Sequence, residues 1–350
     1  MKVILLAPLP PPAGGIAGWT QRMTEVELKN HWQVKVVDEK VIGGRSVFGK
    51  ESKRNLFTEV KRCFIIWHNL SRELKQKDSK VVQSCIPAGT TSMLREIVCA
   101  LITKLYRKKF IVHFRCTLPN MVKTKASIFL FKMLVALSDC VFVLNKASDK
   151  FVEKNAPKTE RFIIPNFIES SSLYRREEFR DHIEVLTYVG GVIPEKGCDL
   201  ILSLARHFPN KQFKLIGKIG MNKSIFPNNV VLLGEQPKEV VQAELKNSDV
   251  FLFLSRFSGE GFSNALAEAM AFSLPCVVSD WAANADMIEN KGGAIIDDYS
   301  IESVIKAINQ LEGKDIRRKC GQWNYNKVLN EYTDIIITSK YVDAYEGVLR

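Results

Sequence analysis

The stretch Ser255–Ser279, SRFSGEGFSNALAEAMAFSLPCVVS, decides how the rest of the chain is read. An apolar run, Asp249–Leu254, leads into it, and Glu260 stands between two glycines. An Ala-rich segment with helical composition follows and carries Glu268, and Leu274-Pro275-Cys276-Val277-Val278 supplies a second apolar run. Strand, loop, helix, strand is half of a doubly wound α/β domain, whose ligands sit where strand carboxyl ends meet helix N-termini.

Working back toward the N-terminus, the same alternation repeats. Strand patterns at Val185–Val189, Phe213–Ile216 and Val230–Leu233 end at Gly190-Gly191, Gly217 and Gly234, with helix-length segments at 198–207 and 238–247. Beyond the opening stretch come a short strand at Gly292–Asp297, helices over about 301–312 and 315–330, and an amphipathic segment, Asp334–Leu349. The polar run from Phe167 to Asp181 reads as a linker. On its far side a second array begins at Val3–Ala7 and continues through Val34–Val37, Val81-Val82, Phe110–Phe114 and Cys140–Leu144. Helix-length segments at Thr91–Tyr106 and Lys123–Leu137 separate the later strands, which argues for a parallel sheet covered on both faces. A Pro-rich turn leads from the first strand to Gly14-Gly15-Ile16-Ala17-Gly18, with a helix expected from Trp19. Glycines between strand and helix let backbone amides approach an anion. Their spacing is not GxGxxG, so a dinucleotide fingerprint does not fit. His113 and Arg115 end the Phe110–Phe114 strand, where a ligand contact and a purely structural histidine are both consistent with position.

Composition narrows the class. A chain of 350 residues with 46% hydrophobic content can bury two cores. Met1–Ala7 runs into prolines and is too short for a signal core, and no uncharged apolar run approaches the roughly 18 residues of a membrane span. The expectation is a soluble or peripheral protein. The eight cysteines are scattered without CxxC pairs or metal-ligand spacing, as in a reduced, cytoplasmic protein with no metal site. The net charge of +12 is lopsided: residues 1–160 hold 28 Lys and Arg against 13 Asp and Glu, and residues 161–350 hold 22 against 25. Such asymmetry suits an anionic partner for the first half, although lysine-rich faces also serve simply as solvated surface. The stretch 42–62 interleaves basic residues with Phe48, Leu56 and Phe57, a pattern suited either to anionic lipid or to an ordinary exposed helix. No nucleic-acid-binding module is present.

With seven residues between Glu260 and Glu268, Gly261-Phe262 after the first and Ala269-Met270-Ala271 after the second, the chain resembles the retaining GT-B glycosyltransferases of family 4. The N-terminal Gly14-Gly15, His113, Ile164-Pro165-Asn166, Val189-Gly190 with Glu195-Lys196-Gly197, Val231–Gly234 and Tyr341–Tyr345 extend the likeness along nearly the whole chain. The resemblance implies two Rossmann-like domains facing across a cleft, with a C-terminal helix crossing back. The N-terminal, acceptor-binding domain would be 1–165 plus 334–350, and the donor-binding domain 166–333. It implies transfer of a sugar, with retained configuration and without an obligatory metal or cofactor, from a UDP- or GDP-linked donor to a lipid-linked glycan or polysaccharide at the inner membrane face. The basic half would rest on anionic lipid, and the protein would be cytoplasmic and peripherally membrane-associated. By the same resemblance His113, Glu260 and Lys196 are catalytic: Glu260 faces the donor sugar, Lys196 the diphosphate, and His113 the sugar and acceptor. Gly14, Gly15, Ile16, Gly190, Gly261, Phe262, Ser263 and Asn264 would line the donor, and Glu268 would bind the ribose. Glu235 is a candidate for reading the base. Relatives often carry an arginine where this chain has Gly191, which leaves Lys218, Arg256 or a residue of the other domain to replace it. Gly191, together with Asp286 where many relatives have glutamate, keeps open a binding protein with a weakened site, and an epimerase is the further alternative.

Overall fold

The computed structural model describes residues 1–11, 14–40 and 56–350. Most of the basic stretch read at 42–62, including Gly43-Gly44-Arg45, Phe48 and Lys50–Arg54, lies outside them. The chain divides into two units. Unit 1 comprises Met1–Asn166 and Ile337–Arg350, and unit 2 comprises Phe167–Ile336.

Unit 1 is built on strands β1 (Lys2–Ala7), β2 (Gln33–Asp38), β3 (Ser79–Ile86), β4 (Lys109–Phe114), β5 (Cys140–Val143) and β6 (Arg161–Ile163). They form one parallel sheet in the order β2-β1-β3-β4-β5-β6. The central strands are buried on both faces, which is why they read as near-continuous apolar runs. Edge strand β2 alternates lysine and glutamine with valine and is only partly buried. Helices Leu56–Leu74, Thr90–Leu105 and Lys125–Leu137 pack on one core that includes Leu70, Ile97, Phe110, Phe131 and Leu134. The helix after β1 starts at Gly15 rather than at the expected Trp19. Gly14 is extended at its N-cap, so Gly15 and Gly18 belong to the helix and not to a turn. A Cβ at Gly14, Gly15 or Gly18 would meet nothing within 4 Å.

Unit 2 contains β7 (Val185–Val189), β8 (Gln212–Ile216), β9 (Val230–Gly234), β10 (Val250–Phe253), β11 (Cys276–Ser279) and β12 (Gly293–Ile296). Their order, β12-β11-β10-β7-β8-β9, is the Rossmann arrangement with its direction reversing between β7 and β10. Two glycines close the crest of this sheet. Gly217 takes φ +139, and a Cβ there would lie 2.0 Å from the Gly190 carbonyl oxygen. Gly197 takes φ +85, and a Cβ there would lie 2.3 Å from the Leu254 carbonyl oxygen. A side chain at either position would force the strand ends apart.

Candidate active site

The reversal between β7 and β10 leaves a crevice at the strand carboxyl ends, the general ligand position of open parallel sheets. The loops leaving these strands are tied together: the Arg256 amide donates to the Glu195 carbonyl at 2.9 Å, and Gly197 lies against Leu254. This closure brings Lys196 Nζ onto Glu260 Oε1 as an ion pair. Ser255 Oγ donates to the same oxygen at 3.1 Å, and the ammonium lies 4.7 Å from the Phe257 ring centroid. The two charged side chains are 22% and 12% exposed, shielded enough to strengthen their attraction yet open to a ligand. A tight turn, with the Glu260 amide on the Phe257 carbonyl at 3.1 Å, sets the carboxylate, and the Trp281 indole N–H holds that carbonyl at 2.8 Å.

Ser263 caps the following helix, Asn264–Ala271, its Oγ accepting from the Leu266 amide at 3.2 Å. The other first-turn N–H groups have no intrahelical acceptor and make this end electropositive. Leu266, Ala267, Ala269 and Met270 are buried, while Asn264, Ala265 and Glu268 are half-buried. Spacing of four places Asn264 and Glu268 on one face, Glu268 a turn in from the N-terminus. Phe262 is buried edge-on to Tyr332, with ring centroids 5.1 Å apart.

The remaining predicted residues spread along the same sheet edge. Gly190 follows β7 and lies against Gly217, while Lys218 and Glu235 are exposed just after β8 and β9, progressively farther from the β7–β10 reversal. Arg256 is exposed but anchored: its guanidinium donates to Asp199 Oδ2 at 2.6 Å and lies 4.3 Å over the Tyr299 ring. Among the described residues no group of three or more His, Cys, Asp or Glu could hold a metal ion.

In unit 1, Gly14 and Gly15 are exposed and Ile16 half-buried at the N-terminus of helix Gly15–Glu25. His113 is fully buried. Its ring meets Trp19 and Phe142 edge-on at 6.0 and 5.7 Å and lies 5.9 Å from Tyr341. Nδ1 is 3.3 Å from Gln83 Nε2 and 3.4 Å from the Tyr341 hydroxyl, and Arg115 Nη1 is 3.3 Å from Nε2. Burial, with Arg115 alongside, holds the imidazole well below its ordinary pKa and therefore neutral at pH 7. Arg115 itself stacks 4.0 Å over Trp19 and donates to Asn166.

Sequence reading missed Ser255 on the charged pair, Asp199 and Tyr299 around Arg256, and Gln83 beneath His113. Gln83 carried a signal: a polar residue inside Val81-Val82-Gln83-Ser84-Cys85 must find partners once buried, and its carbonyl accepts from the Tyr345 hydroxyl. Asp199 and Tyr299 are a hundred residues apart in the chain and meet Arg256 only through the fold.

Residues 173–327 match the family described as Glycosyl transferases group 1. Among curated proteins, the chain is 22% identical over 179 residues to the capsular polysaccharide biosynthesis glycosyltransferase CapM of Staphylococcus aureus, covering 47% of each. It is 25% identical over 177 residues to an Escherichia coli UDP-Gal:alpha-D-GlcNAc-diphosphoundecaprenol alpha-1,3-galactosyltransferase, covering 46% of this chain and 45% of that one. The chain thus spans about half the length of the curated relatives it matches. Solved structures are similar over nearly all of it. Sucrose-phosphate synthase from Thermosynechococcus elongatus has a TM-score of 0.79 at 13% identity, covering 99% of both chains. Anabaena HepE in complex with UDP and glucose has a TM-score of 0.73 at 12% identity, covering 99% of this chain and 100% of that one. The two Rossmann-like units together constitute a GT-B fold, and the sequence match to Glycosyl transferases group 1 falls within the second of them.

Proposed function

We propose that this protein is a retaining glycosyltransferase, metal-independent, that moves a sugar from a UDP- or GDP-linked donor to a hydroxyl of a lipid-linked or polysaccharide acceptor in cell-surface polysaccharide assembly. The observation that carries this reading is the Lys196–Glu260 pair at the β7–β10 reversal, beside a capped helix presenting Asn264 and Glu268 on one face. A nucleotide sugar needs a cation and an electropositive helix end for its diphosphate, a carboxylate for its sugar and another for its ribose. Lys196 and the Asn264 end of the helix meet the first need, Glu260 the second and Glu268 the third. When the bond from sugar C1 to the diphosphate breaks, charge grows on the leaving oxygens and on the ring. Lys196 stabilises the former and Glu260 the latter, which requires their mutual ion pair to open as the donor enters. The relatives support the chemistry: a capsular polysaccharide biosynthesis glycosyltransferase, a galactosyltransferase named for UDP-Gal, and the HepE structure in complex with UDP and glucose.

The test is a panel of UDP-, GDP- and ADP-sugars offered to the purified protein, with and without EDTA, following nucleotide release and product anomer. Silence across the panel would overturn the reading. Nucleotide binding without turnover, insensitive to Glu260→Gln, would favour a binding protein with a weakened site, for which Gly191 at the usual arginine position is the motivation.

A further inference from the structure

The chain segments that lead into β7 and β10 meet at the end of the second sheet opposite the Lys196–Glu260 pair, because the two strands run parallel. Between them they wall a cavity of about 750 Å³, a volume suited to a small molecule. Its most buried cation is Arg176, 7% exposed. Arg176 Nη2 donates to the Leu245 and Lys246 carbonyls at 2.9 and 2.8 Å, closing the C-terminus of helix Lys238–Lys246. Nε is enclosed as well and has no acceptor among the described residues. A buried N–H left idle calls for a partner. The charge around it is also unbalanced. Asp249 is buried nearby, but its Oδ1 accepts from Arg180 at 2.9 Å and its Oδ2 from the Glu184 and Val185 amides, both at 2.9 Å. Burial lowers the Arg176 pKa from the usual arginine value, Asp249 offsets this in part, and Arg180 and Arg317 add to it. Three arginines thus share one buried acid. At the rim, Arg175 and Lys246 are exposed and form no ion pair among the described residues; the Lys246 ammonium lies 4.8 Å over the Tyr174 ring. Glu177 and Glu178 also line the cavity, but both are exposed, and water screens them more than it screens a cation held in the wall. The backbone here is pinned, the Tyr174 amide on the Ala271 carbonyl at 3.0 Å and the Arg176 amide on Ser273 Oγ at 3.1 Å, so the cavity is preformed.

We propose that this cavity is a second anion site, which binds a phosphate-bearing small molecule through Arg175, Arg176 and Lys246. Several donors converging on one place suit phosphate, whose oxygens accept from more than one side, and the guanidinium fork matches its geometry. The Tyr174 ring, 37% exposed, offers a flat face to the rest of the molecule. The site is separate from the donor crevice. Lys196 and Glu260 lie at strand carboxyl ends, whereas Arg176 and Lys246 precede the strands, so the proposal does not depend on the glycosyltransferase reading.

The experiment is isothermal calorimetry of the full chain carrying Lys196→Ala, which disables the donor crevice, titrated with inorganic pyrophosphate and separately with ADP. Saturable binding of pyrophosphate is expected. Adding Arg175→Ser and Lys246→Ser should weaken it about tenfold or more, through the loss of charge-assisted hydrogen bonds. Adding Arg176→Lys instead keeps the charge but removes the fork, and should weaken binding as well. If thermal melts show that Arg176→Lys unfolds the chain, the serine variant decides, since the Arg175 and Lys246 side chains carry no hydrogen bond among the described residues. Tighter binding of ADP than of pyrophosphate, reduced by Tyr174→Ala, makes the occupant a nucleotide, and equal binding makes it a simpler phosphate; both uphold the site. Absence of pyrophosphate binding to the Lys196→Ala chain overturns the proposal, as does binding that the serine variant leaves unchanged. An equal loss from Lys291→Ser with Lys306→Ser, exposed lysines outside the cavity, overturns it too, because only net charge would then matter.

Discussion

One oxygen of Glu260 is shared between an ammonium and a hydroxyl, so each substitution around it has a distinct signature. Glu260→Gln keeps the shape and the Ser255 contact but removes the charge facing the sugar, and kcat should fall by about 10²–10³-fold with nucleotide affinity little changed. Lys196→Ala should weaken binding of nucleoside diphosphate far more than of nucleoside, measured by calorimetry, because the lost contact is to phosphate. Two buried groups make stability depend on pH with opposite signs. His113 has its pKa depressed in the folded chain, so protons bind the unfolded state preferentially. Its contribution is intact above about pH 6.5 and is lost as pH falls below that value, with a slope of at most about 1.4 kcal/mol per pH unit. Urea melts at pH 7.5 and 5.5 should show this loss, and His113→Gln should flatten it. Glu39 is the reverse case. It is buried, and its Oε2 accepts from Arg95, which also donates to Glu96. Burial first, then the neighbouring Glu96, raises its pKa well above the carboxylate range despite Arg95. Its stabilisation is present below the unfolded value and is lost as pH rises through the folded one, so Glu39→Gln, which cannot ionise, should remove this decline from urea melts taken at rising pH.

At the level of elements, two short devices hold the site in register. Gly197→Ala places a Cβ 2.3 Å from a carbonyl oxygen at φ +85, so it should lower unfolding stability by about 2 kcal/mol or more and separate Lys196 from Glu260. Ser263→Ala removes only the cap and should cost about 1 kcal/mol in chemical denaturation. The strands and helices of both units were largely legible because parallel strands buried on both faces leave unbroken apolar runs, as Cys140–Val143 and Phe251–Phe253 do. The start of the first helix was not legible. Gly15 and Gly18 look like turn residues, and helix begins at Gly15 because packing of Ala17, Trp19 and Met23 outweighs glycine's poor propensity. The site was half legible. Spacing picked out Glu260 and Glu268, but the pairing of Lys196 with Glu260 joins residues 64 apart, and nothing local announces it. Likewise His113 was marked by position at a strand end, while its enclosure by Trp19, Phe142 and Tyr341 depends on three distant segments.

For the whole molecule, the first unit is discontinuous and the second is not. Ile337, Tyr341, Val342 and Tyr345 of the final helix, Asp334–Leu349, are completely buried, and Tyr341 and Tyr345 join the aromatic cluster around His113 and Phe142. Tyr345 also packs on Trp32, with centroids 5.2 Å apart. Tyr341→Ala should therefore cost about 3–5 kcal/mol, a large aromatic deletion, and the loss should be confined to unit 1. Hydrogen exchange would register it as faster opening of β4 and β5 amides with β7 and β10 unaffected. The order of synthesis adds a constraint. The ribosome delivers the first unit's sheet at about 5–20 residues per second, and domains made early generally fold early. Here the sheet emerges without the helix that seals its aromatic centre, and must wait while all of Phe167–Ile336 is translated. The half made first is thus completed last, and a released chain truncated before Ile337 would carry all of the second unit's residues but a first unit without the helix that seals its aromatic centre.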